Sequence, residues 1–210
     1  MKITLYVDVV SPFGYIAYHT LRHDPVFKNY KDKWINNERL RWARYFNVPI
    51  VTDVPDGFPA NTLHVMRTIC ALGHLASTPD QQAPSSPPAA PAAQQHEATV
   101  RALDAFFDAY WVRSRDVADK DVVAGVLTRA GWGNDLAAVS ELAAGGDAKK
   151  ALAGNTDRAF ADGAFGLPWF ACENDRGERE GFWGVDHLGC LLDFLGLERP
   201  AGRGGWKAML

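Results

Sequence analysis

The sequence is poor in cysteine, lacks a long apolar run and carries little excess charge. Its three cysteines form no C-x-x-C pair, which excludes a dithiol oxidoreductase and suits a reducing compartment. We expect Cys70, Cys172 and Cys190 to be buried structural residues. No apolar run reaches the roughly 18 residues of a membrane-spanning helix, and the chain opens on a strand-like segment rather than a signal peptide. We therefore expect an intracellular protein without a membrane partner; cytoplasm, mitochondrion and peroxisome are not distinguished.

The charge balance and the missing motifs exclude several functions. With 22 basic and 25 acidic residues the net charge is −3, so the chain offers no basic field to nucleic acid. His19 and His23 are four residues apart but have neither a third ligand nor an H-E-x-x-H motif, so no metal site is expected. Neither a phosphate-binding P-loop nor a G-x-S-x-G motif occurs around Ser11. The length allows one large domain or two small ones.

The amino-terminal stretch has the clearest pattern. Residues 2–10 (KITLYVDVV) are mostly apolar and rich in β-branched side chains, as in a strand covered on both faces of a sheet. Ser11 is then suited to cap a helix over residues 13–23, with Pro12 in its first position. This places Ser11 at the carboxyl end of a strand and the positive end of a helix, where α/β proteins bind anions. Taken alone, a capping role is the simpler interpretation.

Two stretches near the carboxyl end predict a hairpin. Residues 163–170 (GAFGLPWF) are turn-prone and enter a strand through Leu167-Pro168, where a proline is tolerated and is sometimes cis. Residues 180–187 (EGFWGVDH) read as a second strand that breaks at Gly184 and leads into a helix with Asp186 near its N-cap. The polar residues 173–179 between them favour a hairpin turn.

Together these stretches resemble the kappa class of glutathione transferases and the related bacterial 2-hydroxychromene-2-carboxylate isomerases. Both belong to the DsbA-like branch of the thioredoxin fold. The matching stretches, in the family's order, are residues 7–13 (VDVVSPF), 33–48 (KWINNERLRWARYFNV), 163–168 (GAFGLP) and 182–186 (FWGVD). The fold class that this resemblance implies is α/β, with a thioredoxin-like glutathione-binding domain at residues 1–30 and 163–210. An α-helical domain is inserted at residues 31–162.

The resemblance also implies a glutathione site. Its residues are Ser11, as the catalytic hydrogen-bond donor to the thiolate, with Pro12, Phe13, Leu167, Pro168, Val185 and Asp186 as binding residues. Asp186 is placed to accept from the amino group of glutathione, and the Leu167 backbone pairs with its peptide. The implied partners are glutathione as co-substrate, a small electrophilic substrate, and a second copy of the chain in a homodimer. Ordinary roles for Pro168, as a strand-start proline, and Asp186, as a helix cap, stay open.

The chain departs from the family after His23. Relatives continue into a second parallel strand and a loop with a glutathione-contacting Asn, a segment on the order of 30 residues. Here only residues 24–32 (DPVFKNYKD) precede the next matching stretch, and residues 26–30 can supply at most a stub of strand. The second strand is therefore missing or truncated, which exposes one edge of the first strand. A skipped coding segment and a true shortened variant both produce this pattern.

The middle of the chain is predicted to be helical. Apolar spacing predicts helices over residues 34–47, 61–75, 97–112, 119–130, 136–144, 148–162 and 186–195. The helix at 97–112 places Val100, Phe106 and Tyr110 on its core side. Residues 77–95 are rich in Pro, Ala, Ser and Gln and predict a disordered insertion. The predicted helix at residues 34–47 carries several arginines, among them Arg39 and Arg44. They form a solvated face or attract an acidic substrate.

Three functions are compatible with the sequence. A transferase directs the glutathione thiolate at an electrophile, and an isomerase adds it reversibly to an unsaturated ketone. A catalytically impaired glutathione-binding protein is the third, because the second strand and the Asn loop are missing and because Gly14 stands where relatives often carry a side chain. We favour the transferase.

Overall fold

The structure, a computed structural model, describes residues 2–6, 25–55, 57–76 and 91–198. The described strands are β1 Lys2–Tyr6, β2 Trp169–Glu173 and β3 Arg179–Trp183. The described α-helices are α1 Pro25–Phe46, α2 Leu63–Ala76, α3 Pro91–Phe107, α4 Lys120–Leu127, α5 Leu136–Ala144, α6 Gly146–Ala161 and α7 Leu188–Leu195. Helices α3 and α4 each run into a π-helical turn, Asp108–Val112 and Thr128–Trp132, and a 3-10 turn, Val185–His187, precedes α7.

The described strands form one antiparallel sheet in the order β1-β2-β3. Tyr6 pairs with Trp169, and Trp169 pairs with Trp183. The predicted first strand is confirmed over residues 2–6, whereas its continuation at 7–10 and the predicted helix at 13–23 lie outside the described residues. Within the described ranges, β1 pairs with β2 alone.

Asn174 closes the predicted hairpin between β2 and β3, which is confirmed. Its side-chain oxygen accepts from the N–H groups of Arg176 and Glu178 at 3.0 and 3.1 Å. Its backbone N–H donates to the Glu178 carbonyl, and its own carbonyl accepts from Gly177. The side chain is buried although it is polar, and these bonds offset the cost of removing it from water.

The core beneath this sheet is formed by β2, β3 and α7. Cys172, Phe182, Leu191 and Leu195 are buried together, and Phe170 and Leu188 pack against them. Because side chains alternate along a strand, Cys172 and Phe170 face α7 while Trp169 lies on the opposite face. Side chains on both faces of β2 are therefore buried.

Helix α1 is longer than predicted. It begins at Pro25 rather than near Trp34, so the suggestion of a strand stub at residues 26–30 is wrong. The reason is that no glycine or proline interrupts the sequence between Pro25 and Pro49, and a proline in the first helical turn is well tolerated. Residues 26–30 therefore lie in helix α1 and do not form a strand.

Arg39 joins α1 to the chain that follows it. Its guanidinium donates to the carbonyls of Val51 and Thr52 at 2.8 and 2.7 Å, and to the Asn36 side chain at 2.6 Å. Sequence reasoning placed Arg39 on a solvated or substrate-attracting face; the structure gives it a structural contact instead. Arg44, by contrast, donates to the Leu40 carbonyl of its own helix.

We expect Arg39→Met to lower the free energy of unfolding by about 1–3 kcal/mol, because hydrogen bonds from a charged donor to two backbone carbonyls are lost. Urea unfolding followed by circular dichroism measures the change. Arg44→Met is the matched control. It should change the free energy of unfolding by less than about 0.5 kcal/mol, as substitutions of exposed residues usually do. Equal losses in the two variants would contradict the assigned role of Arg39.

Helices α2 to α5 surround a second core. Its largest fully buried side chains include Tyr110, Phe106, Leu72 and Val65. Helix α2 passes close to α3 at Gly73, where an added Cβ would lie 3.2 Å from Cγ of Gln95. The predicted core residues Phe106 and Tyr110 are confirmed, but Val100 is 42% exposed. The buried side of α3 carries Ala98 and Ala102 instead, because small residues allow the close approach.

The helix boundaries otherwise follow the sequence closely. Helix α5 has the predicted bounds, and α4 begins after Asp119, whose side chain accepts from the Asp121 N–H at 2.7 Å. Helix α3 begins at Pro91, so the predicted disorder is wrong for residues 91–95. Ala and Gln favour a helix there once a proline supplies the first position. Residues 77–90 lie outside the described residues.

The chain divides into two compact units. One consists of Met1–Thr52 with Asp157–Leu210, and the other of Asp53–Thr156. Helix α1 and the end of α6 fall in the first unit, so the helical unit is shorter than the insertion expected at residues 31–162. The assignment of a glutathione-binding role to the first unit stays a prediction.

Candidate functional site

Two loops meet at one end of the β2-β3 pair. The first contains Leu167-Pro168, just before β2, with a cis peptide bond between the two residues. The second begins at Gly184, just after β3, whose backbone has φ of +88° and therefore suits a glycine. The Gly184 N–H donates to the Pro168 carbonyl at 3.1 Å. This bond fixes the two loops side by side.

The Leu167 backbone is available to a peptide at this end of the sheet. Within the described ranges no group hydrogen-bonds the N–H or the carbonyl of Leu167, whereas the Pro168 carbonyl is already used by Gly184. Leu167 and Pro168 are half-buried. Unpaired backbone groups beside a strand are the groups with which an extended peptide pairs.

Asp186 lies near the N-cap of the final helix, as predicted, but it does not cap that helix. The residue at the N-cap of α7 is His187, and no side-chain cap bond is made there or at Gly184. Asp186 lies instead within the 3-10 turn, because Gly184 turns the chain before the α-helix begins. Its side chain is 39% exposed, and Oδ1 lies 3.5 Å from Nδ1 of His187. The carboxylate thus keeps acceptor capacity for an external donor.

His187 lies next to the predicted site, and sequence reasoning did not single it out. Its Nδ1 is buried and has no hydrogen-bond partner within the described part of the chain. The 3.5 Å separation from Asp186 is an ion-pair distance for a protonated imidazole rather than a good hydrogen bond. The one feature of the sequence that could have indicated His187 is its position directly after Asp186.

The structure brings together only part of the predicted site. Leu167, Pro168, Val185 and Asp186 lie in the two adjoining loops, and all four are half-buried. Ser11, Pro12 and Phe13 lie outside the described residues. The catalytic role of Ser11 and the binding roles of the other six residues therefore stay predictions.

Three aromatic rings, Phe165, Trp169 and Trp183, adjoin the loops and were also missed as a cluster. The ring centroids of Phe165 and Trp183 are 5.1 Å apart, and those of Phe165 and Trp169 are 5.5 Å apart. Trp169 is buried, and its Nε1 has no hydrogen-bond partner in the described ranges. No local sequence pattern indicates this cluster, because it depends on pairing between β2 and β3.

All three cysteines lie in the described ranges, and none forms a disulfide bond. Cys172 is buried in the α7 core, and this burial, followed by the charge of Glu180, raises the pKa of its thiol to about 11. Such a thiol stays protonated at neutral pH and is a poor nucleophile. The predicted burial is confirmed for Cys172, whereas Cys70 and Cys190 are half-buried.

Within the described residues, no three His, Cys, Asp or Glu side chains are grouped as metal ligands. Searched over the same residues, no helix has both the length and the apolar character to cross a membrane.

Comparisons with known proteins agree on the fold. Residues 2–196 match the DSBA-like thioredoxin domain family. Among solved structures, a 2-hydroxychromene-2-carboxylate isomerase (HCCA isomerase) superposes with a TM-score of 0.60 at 20% sequence identity, covering 93% of this chain and 95% of that one. No curated protein sequence matches significantly. The predicted fold class, α/β and thioredoxin-like with a helical insertion, is thereby confirmed. The chain belongs to the DSBA-like thioredoxin domain family.

Proposed function

We propose that this protein is a glutathione transferase of the kappa type. The observation that carries the proposal is the pair of loops joined by the Gly184–Pro168 bond. These loops bring two groups to one end of the sheet: the Leu167 backbone, which has no partner within the described ranges, and the half-buried Asp186 carboxylate. A glutathione molecule needs peptide pairing and an acceptor for its ammonium group, and these loops supply both. A homodimer and an intracellular location belong to the same proposal.

The reaction needs a thiolate. The thiol proton leaves to solvent, the sulfur forms a bond to the electrophilic carbon, and the leaving group departs with its electron pair. A free thiol has a pKa of about 8.5, and lowering it by about two units requires roughly 2.7 kcal/mol. A hydrogen bond from the Ser11 hydroxyl to the thiolate contributes roughly 1.5–3 kcal/mol, and a helix N-terminus about 0.3–1 kcal/mol. These two contributions are sufficient.

We expect Ser11→Ala to raise the pKa of the bound glutathione thiol by about one to two units, because the hydroxyl donor is lost. A pH titration of the ultraviolet thiolate absorbance in the glutathione complex measures it. Ser140→Ala, an exposed position on α5, is the control and should leave the titration unchanged. An unshifted thiol pKa in the Ser11 variant would remove Ser11 from the proposed chemistry.

A second candidate is a glutathione-dependent isomerase of the 2-hydroxychromene-2-carboxylate type, which the structural neighbour favours. In that reaction the thiolate adds to an unsaturated ketone, a bond rotates, and the thiolate leaves again, so glutathione is not consumed. Counting free thiols during turnover separates the two activities. A transferase consumes one thiol per product formed, whereas an isomerase consumes none.

Titration of the full chain with reduced glutathione tests the shared part of both candidates. Trp169 and Trp183 lie next to the loops, so their fluorescence should change on saturation. Saturable binding supports the proposed site. No binding by a folded protein would identify the third alternative, a shortened chain that has lost the family's activity.

A further inference from the structure

We infer that Arg67, His64 and Lys120 bind the phosphate group of a small anion. All three residues lie in the compact unit Asp53–Thr156. Arg67 and His64 are on α2, and Lys120 is the first residue of α4. The observation that carries the inference is a cluster of basic side chains around an arginine that has no acidic partner among the described residues. The inference goes beyond the proposed transferase function and does not depend on it.

Arg67 is the centre of this cluster. The residue is half-buried, and its Nε is buried without a hydrogen-bond partner in the described part of the chain. Among the described residues, no carboxylate forms an ion pair with its guanidinium, whereas each of four other arginines has one: Arg41, Arg113, Arg176 and Arg179. Arginine is rarely removed from water without a paired charge, because its desolvation costs free energy. An anion at the outer end of the guanidinium supplies the missing partner.

His64 shares this environment. It precedes Arg67 by three residues, and side chains at this spacing are neighbours on a helix surface. Burial, followed by the positive charges of Lys120 and Arg67, lowers the pKa of the His64 imidazole. The charges that act on His64 are thus both positive, although Asp119 and Asp121 flank Lys120. The Asp119 carboxylate instead accepts from the N–H of Asp121 at 2.7 Å, as the cap of α4.

The number of positive charges favours a phosphate group over a carboxylate. Arg67 and Lys120 supply two charges at neutral pH, and protonation of His64 adds a third. A phosphate monoester carries a charge of about −1.5 to −2 at pH 7 and has three acceptor oxygens, whereas a carboxylate carries a single charge. Arginine binds phosphate through two parallel N–H bonds, and lysine binds it as a point charge. A polyanion needs a wider basic surface, which a chain of net charge −3 does not favour.

Titration of the full chain with inorganic phosphate, against sodium chloride at equal ionic strength, tests the site. Proton NMR of the imidazoles follows His64, whose signal among the six histidines is identified by its loss in His64→Gln. We expect phosphate to raise the pKa of His64, because it offsets the two positive charges that lower this pKa. A parallel titration with methyl phosphate distinguishes the source: tighter binding of methyl phosphate indicates an organic monoester, and tighter binding of inorganic phosphate indicates the free ion.

Arg67→Met should weaken phosphate binding by about tenfold or more, and Lys120→Met by about three- to fivefold, because charge-assisted bonds are lost. Arg129→Met removes an exposed arginine of the same unit, so it is the matched control and should bind phosphate within twofold of the parent. In buffer without phosphate, Arg67→Met should unfold at the same temperature as the parent or higher, because a half-buried charge without a partner is removed. A purely structural arginine would lower the unfolding temperature when it is replaced.

Three results would overturn the inference. An equal response of the His64 pKa to phosphate and chloride would mean that salt screening alone causes it. Equal phosphate affinities of Arg67→Met and Arg129→Met would place the anion elsewhere. A lower unfolding temperature of Arg67→Met in buffer without phosphate would reveal a structural role. The His64 titration uses the parent protein, so it decides the matter even where a variant does not fold. A chain that shows the phosphate effects but binds no glutathione contradicts the transferase proposal only.

Discussion

Asp186→Asn should weaken glutathione binding by about 10- to 100-fold, the largest effect we expect on function. The carboxylate is only half-buried and makes no helix cap, so its acceptor capacity is available to the ammonium group of the ligand. A hydrogen bond between charged groups contributes about 1.5–3 kcal/mol, which corresponds to this loss of affinity. Calorimetric titration with reduced glutathione measures it, and the thermal unfolding midpoint should stay near that of the parent.

Asp157→Asn is the matched control for this experiment. Asp157 is exposed on α6, and the substitution changes the net charge by the same amount. It should leave glutathione affinity within twofold of the parent, as expected of a solvent-screened charge outside the loops. Equal affinity of the Asp186 variant and this control would mean that the ammonium group is bound elsewhere.

Gly181→Ala should destabilise the first unit by about 1–3 kcal/mol, the largest effect we expect on stability. The new Cβ would lie 2.2 Å from Cζ2 and 2.9 Å from Cη2 of Trp169. Trp169 is buried against the strand, so it cannot move aside without opening the sheet. Urea unfolding measures the loss. Gly146→Ala, where no atom lies within 4 Å of the added Cβ, should be neutral or slightly stabilising.

A second substitution tests whether contact with the Trp169 indole causes the loss of stability in Gly181→Ala. Trp169→Phe removes the part of the indole that the new methyl group would strike, and it removes a buried N–H that has no partner within the described part of the chain. The Gly181→Ala/Trp169→Phe double variant should therefore be more stable than the sum of the two single effects predicts, by at least about 0.5 kcal/mol. Additive effects would show that the loss arises from the strand backbone instead.

Local signals in the sequence were sufficient for much of the fold. The helix at residues 136–144 has the predicted bounds, and the Asn174 hairpin lies where the polar residues placed it. Helix α1 was shortened in the prediction because its polar first half has no apolar stripe. The absence of Gly and Pro between Pro25 and Pro49 predicts the observed start of this helix better than its apolar spacing does.

The candidate site was predicted by resemblance more than by pattern. The Leu167-Pro168 turn and Asp186 were predicted as binding residues in this way. They lie in adjoining loops, and their binding role stays a prediction. The alternative role of Asp186 as a helix cap rested on the frequency of Asp at that position. The structure does not support it, because Gly184 redirects the chain into a 3-10 turn before the helix begins. The contacts of Phe165 with Trp169 and Trp183 depend on strand pairing, which no single segment encodes.

The hydrogen bonds of Asn174 bear on how half of the candidate site is assembled. They close a tight loop between adjacent strands, and the opposite ends of those strands carry the Pro168 and Gly184 loops. Only about twenty consecutive residues are involved, so the entropic cost of bringing the two loops together is small. The two loops are therefore brought together within one contiguous hairpin, and from the amino-terminal segment this hairpin needs only the pairing of β1 along β2.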